Sequence, residues 1–350
     1  GITNGDNSGG PADNGVELRY AYGWWNVGNC KLLVGQMDGR LGDGGALQAL
    51  GNDKSGKGGL AGFGFIGATR NPRITLEVEA NDNVAFQIGL GQAGAETTIN
   101  LIEGSDAWGS TQNYLPRLEA VVDFTFENIS FGLGAGISYQ KAEYNDFFGP
   151  NFADSSDDSV LSYLLWIPIE FNYGPFSAVL NAHYGRNVDT DWTGENTTDS
   201  DFNWNPNGVY GNQPGSLPVG VMNLATNTMY IEDTTQWGIG LDLNFELRED
   251  LVLGLGGGFT YLSNDGWAGN NYPGLTTNYG NDSYHRWGAY VALAYAATDN
   301  FTIQPEIGYY NYGDRVGVET FNGVWVHPLP EGSDDAGDEW IFGVHFSFNF

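Results

Sequence analysis

The chain has 350 residues, and its 43 acidic and 13 basic residues give a formal net charge of -30. A phosphate backbone would repel such a chain, so nucleic acid is disfavoured as a partner and cations are favoured. A single cysteine, Cys30, excludes an internal disulfide, and 53 glycines with 14% aromatic and only 41% hydrophobic residues argue against a large soluble core.

Polar and apolar residues alternate with a period of two along the chain, as expected for β-strands with one apolar face. The first clear case is Gly15–Trp25, in which Tyr22 and Trp24 share the apolar face and Glu17 and Arg19 share the polar face. The later segments, in chain order, are Cys30–Met37, Arg73–Ala80, Asn83–Leu90, Leu115–Glu127, Phe131–Tyr139, Leu161–Phe171, Phe176–Tyr184, Ile231–Leu247, Leu251–Tyr261, His285–Ala296, Phe301–Tyr312 and Trp340–Phe350.

No apolar run reaches the roughly 18 residues that a membrane-spanning helix needs. The most apolar stretch, Leu161–Phe171, is too short and contains Pro168 and Glu170. If the chain spans a membrane, it must therefore do so as a closed sheet, because in lipid only helices and closed barrels satisfy every backbone group. No signal peptide is visible at Gly1, so we expect either a processed chain or a missing beginning.

The connections between these segments alternate between short and long. Short turns at one rim and long loops at the other are typical of outer-membrane barrels, whose short turns are periplasmic. Long structureless loops are uncommon in compact soluble domains. The long connections are Asp38–Asn71, Gly91–Asn113, Asn145–Ser159, Asn187–Thr228, Ser263–Tyr284 and Gly313–Asp338.

The sequence therefore predicts an all-β fold, a closed antiparallel transmembrane β-barrel of about 14–16 strands that forms a single domain over residues 1–350. About thirteen strands are visible, whereas single-chain bacterial barrels have an even number. We therefore expect a missing N-terminal strand, which gives about 14 strands, or two more strands, which gives 16. An extra crossing could lie within Asp38–Asn71, which contains GLAGFGFIGA. A soluble β-sandwich is the alternative, but it would need a very large core to cover so many aromatic residues.

The final segment, WIFGVHFSFNF, has alternating aromatic residues and ends at Phe350. It resembles the C-terminal strand of Gram-negative outer-membrane proteins, which the assembly machinery reads, and VELRYAYGWW and KLLVGQMDG resemble early strands of diffusion porins. The resemblance implies a porin of the bacterial outer membrane, usually a homotrimer, with one long loop folded into the lumen. It also implies outer-membrane lipids and small hydrophilic solutes as partners, and no enzymatic activity.

In such a pore, rings of charged side chains set the ion selectivity. The acidic excess of the chain predicts a preference for cations, although loop charges more than about 8 Å from the pore are screened. The candidate pore-lining residues lie on the polar faces of the early strands and are Glu17, Arg19, Arg73, Glu77, Glu79, Arg117, Glu119 and Asp123.

The favoured constriction loop is 91–113, in which Ile99, Leu101 and Ile102 could anchor the loop to the wall. Its acidic residues Glu96, Glu103 and Asp106 would then face the opening. The alternative is an external loop with solvated acidic residues. The second candidate for the constriction is Asp38–Asn71, whose charged residues are Arg40, Asp43, Lys54 and Lys57.

One long loop carries oxygen ligands that suit Ca²⁺, which takes six to eight of them. These candidate ligands are Asp189, Asp191, Asp199 and Asp201; the alternative is a solvated acidic loop tip, and no other cofactor is expected. Two further functions stay open. One is a plugged structural or adhesive barrel, and the other is an outer-membrane phospholipase that uses Ser283 and His285, which share a face near the outer rim.

Overall fold

A computed structural model gives the fold of the chain. The structure describes residues 2–4, 16–18, 20–42, 60, 62–66, 70–93, 98–99, 109–113, 115–144, 159–188, 219–223, 228–263, 283–313, 319–321, 324–327 and 338–348.

All regular structure in the described residues is β-structure. The strands are β1 (Ile2–Asn4), β2 (Val16–Leu18), β3 (Ala21–Val27), β4 (Cys30–Asp38), β5 (Arg70–Asn81), β6 (Val84–Gly91), β7 (Thr98–Ile99), β8 (Gly109–Asn113), β9 (Arg117–Thr125), β10 (Ile129–Tyr144), β11 (Ser159–Tyr173), β12 (Phe176–Arg186), β13 (Val219–Asn223), β14 (Thr228–Glu232), β15 (Thr235–Arg248), β16 (Leu251–Ser263), β17 (Ser283–Thr298), β18 (Phe301–Asn311), β19 (Glu319–Phe321), β20 (Val324–His327) and β21 (Asp338–Phe348).

Thirteen of these strands follow one another in a single antiparallel sheet that runs from β3 to β21. Each strand pairs with its neighbours in the chain, apart from the short strands that belong to the long connections. β1 pairs with β2, β13 with β14 and β19 with β20, each pair outside this sheet. β8 extends the wall by pairing with the end of β10, and β7 pairs with β8.

The connections confirm the predicted alternation. Residues 28–29, 82–83, 126–128, 174–175, 249–250 and 299–300 form the short turns, which all lie at one rim because successive strands are antiparallel. Gly28 and Gly174 have φ values of 62° and 56°, a left-handed backbone that glycine adopts without steric cost. The long connections all start and end at the opposite rim.

The two faces of the sheet differ in the way the alternation predicts. On β11, Leu165 is 50% exposed and its neighbour Trp166 is 0% exposed. The same contrast separates exposed Ile307 from buried Glu306 on β18. Large apolar side chains are therefore exposed all along one face, which only lipid can cover favourably, and the soluble sandwich alternative is wrong.

Three predicted segments differ in detail. One is Ile231–Leu247, whose first two residues belong to β14, outside the main sheet. Gly15–Trp25 is interrupted, because β2 pairs with β1 and only Ala21–Val27 joins the main sheet. The apolar run within Asp38–Asn71 does not form an additional spanning strand in its described residues, because residues 60 and 62–66 form turns against the inner face. An additional N-terminal strand stays a prediction.

The all-β fold with its antiparallel barrel wall is confirmed. No helix in the described residues is long and apolar enough to cross a membrane.

Candidate functional site

The inner face of β5 and β9 carries a buried ionic cluster. The Arg73 guanidinium donates a hydrogen bond to the Glu119 carboxylate, and Arg117 Nε lies 2.8 Å from Glu119 Oε1. A Cβ at Gly89, on the strand between them, would lie 2.7 Å from Arg73 Nη2, so this side chain crosses β6 directly over Gly89. Arg117 is 1% and Glu119 3% exposed, so these predicted pore-lining residues point inward but have little contact with water.

Two other ion pairs on the same wall are accessible to water. Lys31 Nζ lies 3.3 Å from Glu77 Oε2, and these side chains are 41% and 37% exposed. Arg40 Nη2 lies 3.3 Å from Asp123 Oδ1, and both side chains are partly exposed. Sequence reasoning found the two acids but missed Lys31, although the alternation in KLLVGQM gives its face.

Glu79 also lies on this wall, is exposed, and pairs with no basic side chain among the described residues. It is two residues from Glu77 along β5 and near the short-turn rim. The inner wall therefore presents more accessible acid than base at this rim.

Part of the connection between β4 and β5 lies against the inner wall. A Cβ at Gly39 would lie 2.4 Å from Arg73 Nη1, so the chain passes directly over the ionic cluster. Leu41 is buried in a cluster with Trp166 and Ile66, and a Cβ at Gly134 would lie 2.4 Å from Leu41 Cδ2. After the end of β4, this connection therefore turns into the barrel over β5 and packs along the inner wall as far as β11.

In the second described part of this connection, Leu60, Phe63 and Phe65 pack on the opposite wall, whereas Ile66 returns to the cluster around Leu41. The Phe63 ring contacts Tyr310 in an edge-on arrangement with 5.1 Å between centroids. The Gly64 N–H donates a 2.7 Å hydrogen bond to Thr260 Oγ1. A Cβ at Gly258 would lie 1.7 Å from the Phe63 carbonyl oxygen, so this wall accepts the segment because it carries glycine there.

The inner face becomes more accessible toward the short-turn rim. On β15, Gln236 and Asp242 are buried, whereas Glu246 is exposed. On the adjoining strands β16, β17, β18 and β21, a cavity near the same rim is lined by Val252, Ala294, Ala296, Thr302, Gln304, His345 and Ser347. The inside is therefore packed in its loop-side half and open to water in its short-turn half.

β3 places two aromatic side chains on the inner face. Trp24 pairs with Leu33, and Leu33 pairs with Thr75, so all three share the face that carries Arg73. Tyr22 lies on the same face as Trp24. Alternation places these two rings on the apolar, lipid-facing side, and the strand register shows that this is wrong. The pattern is misleading because the outward face of β3 is also apolar and carries Trp25.

Several predicted site residues lie outside the described part of the chain. They are Arg19, Glu96, Glu103 and Asp106 for the pore, Asp43, Lys54 and Lys57 in the second constriction candidate, and Asp189, Asp191, Asp199 and Asp201 for calcium. Glu17 is described only as part of the β1–β2 pair, opposite Thr3. Within loop 91–113, the described β8 continues the wall beside β10, and an inward constriction by this loop stays a prediction.

The remaining chemical candidates do not assemble into a site within the described residues. His285 faces outward and stacks on Phe259, with 5.7 Å between ring centroids. Ser283 lies at the start of the same strand, opposite Ser263. No group of three or more His, Cys, Asp or Glu side chains that could hold a metal occurs among the described residues.

The wall and its two faces define a transmembrane β-barrel with a polar interior, the architecture of the bacterial outer membrane. Comparison with protein-family models finds no match, and neither does comparison with curated protein sequences.

Solved structures share the fold at low sequence identity. The outer membrane channel DcaP of Acinetobacter baumannii has a TM-score of 0.56 and 14% identity, over 92% of this chain and 73% of that one. OmpT of Vibrio cholerae, expressed in the outer membrane, has a TM-score of 0.51 and 12% identity, over 95% and 81%.

Proposed function

We propose that this chain is an outer-membrane channel through which small hydrophilic solutes and ions diffuse passively. The observation that carries the proposal is the contrast between the two faces of one sheet. The outer face exposes apolar side chains, whereas the inner face carries ion pairs such as Lys31–Glu77 that are half-exposed to water. A wet, charged interior surrounded by lipid is the arrangement of a diffusion pore.

We place the constriction at the connection between β4 and β5 rather than at loop 91–113. Two features support this choice. Leu41 packs on the wall near β11, and Phe63 packs on the wall near β18, so the connection spans the interior. The fit of Gly64 and Phe63 against the glycine-rich wall supports a constriction that is fixed in place.

Cation preference is the second part of the proposal. The accessible bases Lys31 and Arg40 each lie beside an acid, which cancels their charge locally. Glu79 and Glu246 are exposed inner acids near the short-turn rim and have no basic partner among the described residues. The accessible inner wall therefore has a net negative charge, which concentrates cations at this rim.

Planar-bilayer recording tests both parts. Purified protein should give steady conductance steps, and a salt gradient should give a reversal potential of the sign that indicates cation preference. Glu79→Gln should move this potential toward zero, because it removes an accessible inner charge. Asp82→Asn, the same charge change in the adjoining turn, is the matched control and should have a smaller effect. An anion-selective wild-type channel would contradict the cation preference.

A plugged structural barrel is the second candidate, favoured by the dense packing of the loop-side half, where Trp166, Gln236 and Asp242 have almost no exposure. Complete absence of conductance from folded protein would favour it over the channel. We also propose a homotrimer, which native mass spectrometry of the detergent-extracted protein would test. Calcium binding by the acidic loop stays a prediction, and we propose no catalytic role.

A further inference from the structure

Two neighbouring aromatic rings are exposed on the inner face of β3, which is the edge strand of the described sheet. Tyr22 is 45% and Trp24 61% exposed, and their ring centroids are 6.2 Å apart at an interplanar angle of 47°. The pairing of Trp24 with Leu33, and of Leu33 with Thr75, fixes these rings on the inner face. In a closed barrel this face is turned away from lipid.

A ladder of polar side chains runs beside the rings. Asn26 pairs with Lys31, Lys31 with Glu77, and Glu77 with Gln87, so the four lie side by side across β3 to β6. Gln87 Nε2 donates a 3.1 Å hydrogen bond to Glu77 Oε1. The ladder offers amide, ammonium and carboxylate groups, and the charges of Lys31 and Glu77 cancel.

An exposed apolar surface bordered by polar groups is characteristic of a binding site. A hydrocarbon solute would cover Trp24 but would desolvate the ladder without replacing its hydrogen bonds, which costs free energy. A charged solute would meet both signs of charge at Lys31 and Glu77. A sugar satisfies both surfaces, because its ring has an apolar C–H face and a rim of hydroxyl groups that donate and accept hydrogen bonds.

We infer that Tyr22, Trp24 and this polar ladder form a binding surface for neutral carbohydrates on the short-turn side of the channel. The sugar ring stacks on Trp24 while its hydroxyls bond to Asn26, Lys31 and Glu77. The inference rests on the proposed function, which supplies a solute path along this wall. It adds the class of solute that the wall recognises.

Maltotriose and cellotriose are suitable probes, used in two measurements on detergent-folded protein. Titration calorimetry measures binding directly, and bilayer recording measures sugar-dependent block of the current. Both probes, or one of them, should bind to the wild type. Trp24→Ala should weaken that binding about tenfold through loss of one aromatic contact. Trp24→Phe should retain most of it, because it keeps an aromatic ring at this position.

Trp25→Ala is the matched control, because it removes the adjacent indole from the opposite face of the same strand. It should leave sugar binding unchanged. Absence of binding by both probes, or equal losses in Trp24→Ala and Trp25→Ala, would overturn the inference. If sugar binding depends on Trp24 but the wild type carries no current, the channel proposal fails and the binding surface stands.

Discussion

Replacement of Leu165 by arginine tests which solvent covers the outer face. Leu165 lies close to the middle of β11 (Ser159–Tyr173), and Phe171 lies near its short-turn end. Six residues at about 3.4 Å each, in a strand tilted by about 40°, separate the two positions by roughly 15 Å along the membrane normal. The apolar band of such barrels is about 25 Å tall, so Leu165 lies near its centre and Phe171 near its edge.

The expected costs therefore differ between the two positions. Leu165→Arg should lower the free energy of unfolding by about 2–4 kcal/mol, and Phe171→Arg by about 0–1 kcal/mol. Each value is taken relative to alanine at the same position, so that lost packing is removed from the comparison. Urea titration of the barrel in phospholipid vesicles measures both. Equal costs at the two depths, or no cost at Leu165, would show that this face does not lie in a bilayer.

Three further predictions concern the inner wall. Gly64→Ala would place a Cβ 2.1 Å from the Ile239 carbonyl oxygen, so it should displace the β4–β5 connection and change the single-channel conductance. Gly28→Ala is the control, because Gly28 also has a left-handed backbone but a Cβ there would meet nothing within 4 Å, and the conductance should not change. Equal conductances would contradict the proposed constriction. Glu119→Gln leaves the buried guanidinium groups of Arg73 and Arg117 without the negative charge that they share. It should lower the free energy of unfolding by about 3–5 kcal/mol in the same urea titration. Lys31→Met removes only the half-exposed ion pair with Glu77 and should lower the free energy of unfolding by less than about 1 kcal/mol. A larger decrease would contradict the exposure of this ion pair to water.

The strands and their order could be predicted because alternation is a local signal. Each strand alternates with a period of two, and turn residues such as Gly28 and Gly174 lie between the alternating segments. Pairing between neighbours in the chain then follows from the short turns. This is why nearly the whole wall, including which rim carries the long loops, could be predicted without any knowledge of contacts.

Alternation alone could not predict which side of β3 faces the inside of the barrel. Its inner face carries Tyr22 and Trp24, and its outer face carries Trp25 and Val27, so both faces are apolar. Periodicity separates two faces but does not say which of two apolar faces meets lipid. Only the register with Leu33 decides the question.

The packing of the β4–β5 connection also depends on residues far away in the sequence. Its apolar residues could equally have formed a strand, and Phe63 and Phe65 find their places because Gly240 and Gly258 leave space on distant strands. The same holds for the Arg73–Glu119 pair, which needs the register of three strands. Contacts of this kind require the assembled barrel and cannot be predicted from local pattern.

Thiol accessibility of two adjacent positions on β17 tests most directly whether one face of the wall meets water and the other meets lipid. In a Cys30→Ser background reconstituted into vesicles, Ala294→Cys lies on the inner face and Leu293→Cys on the outer face. A charged, water-soluble thiol reagent should modify position 294 rapidly and position 293 slowly or not at all. Equal rates at both positions, or faster reaction at position 293, would contradict a water-filled barrel surrounded by lipid.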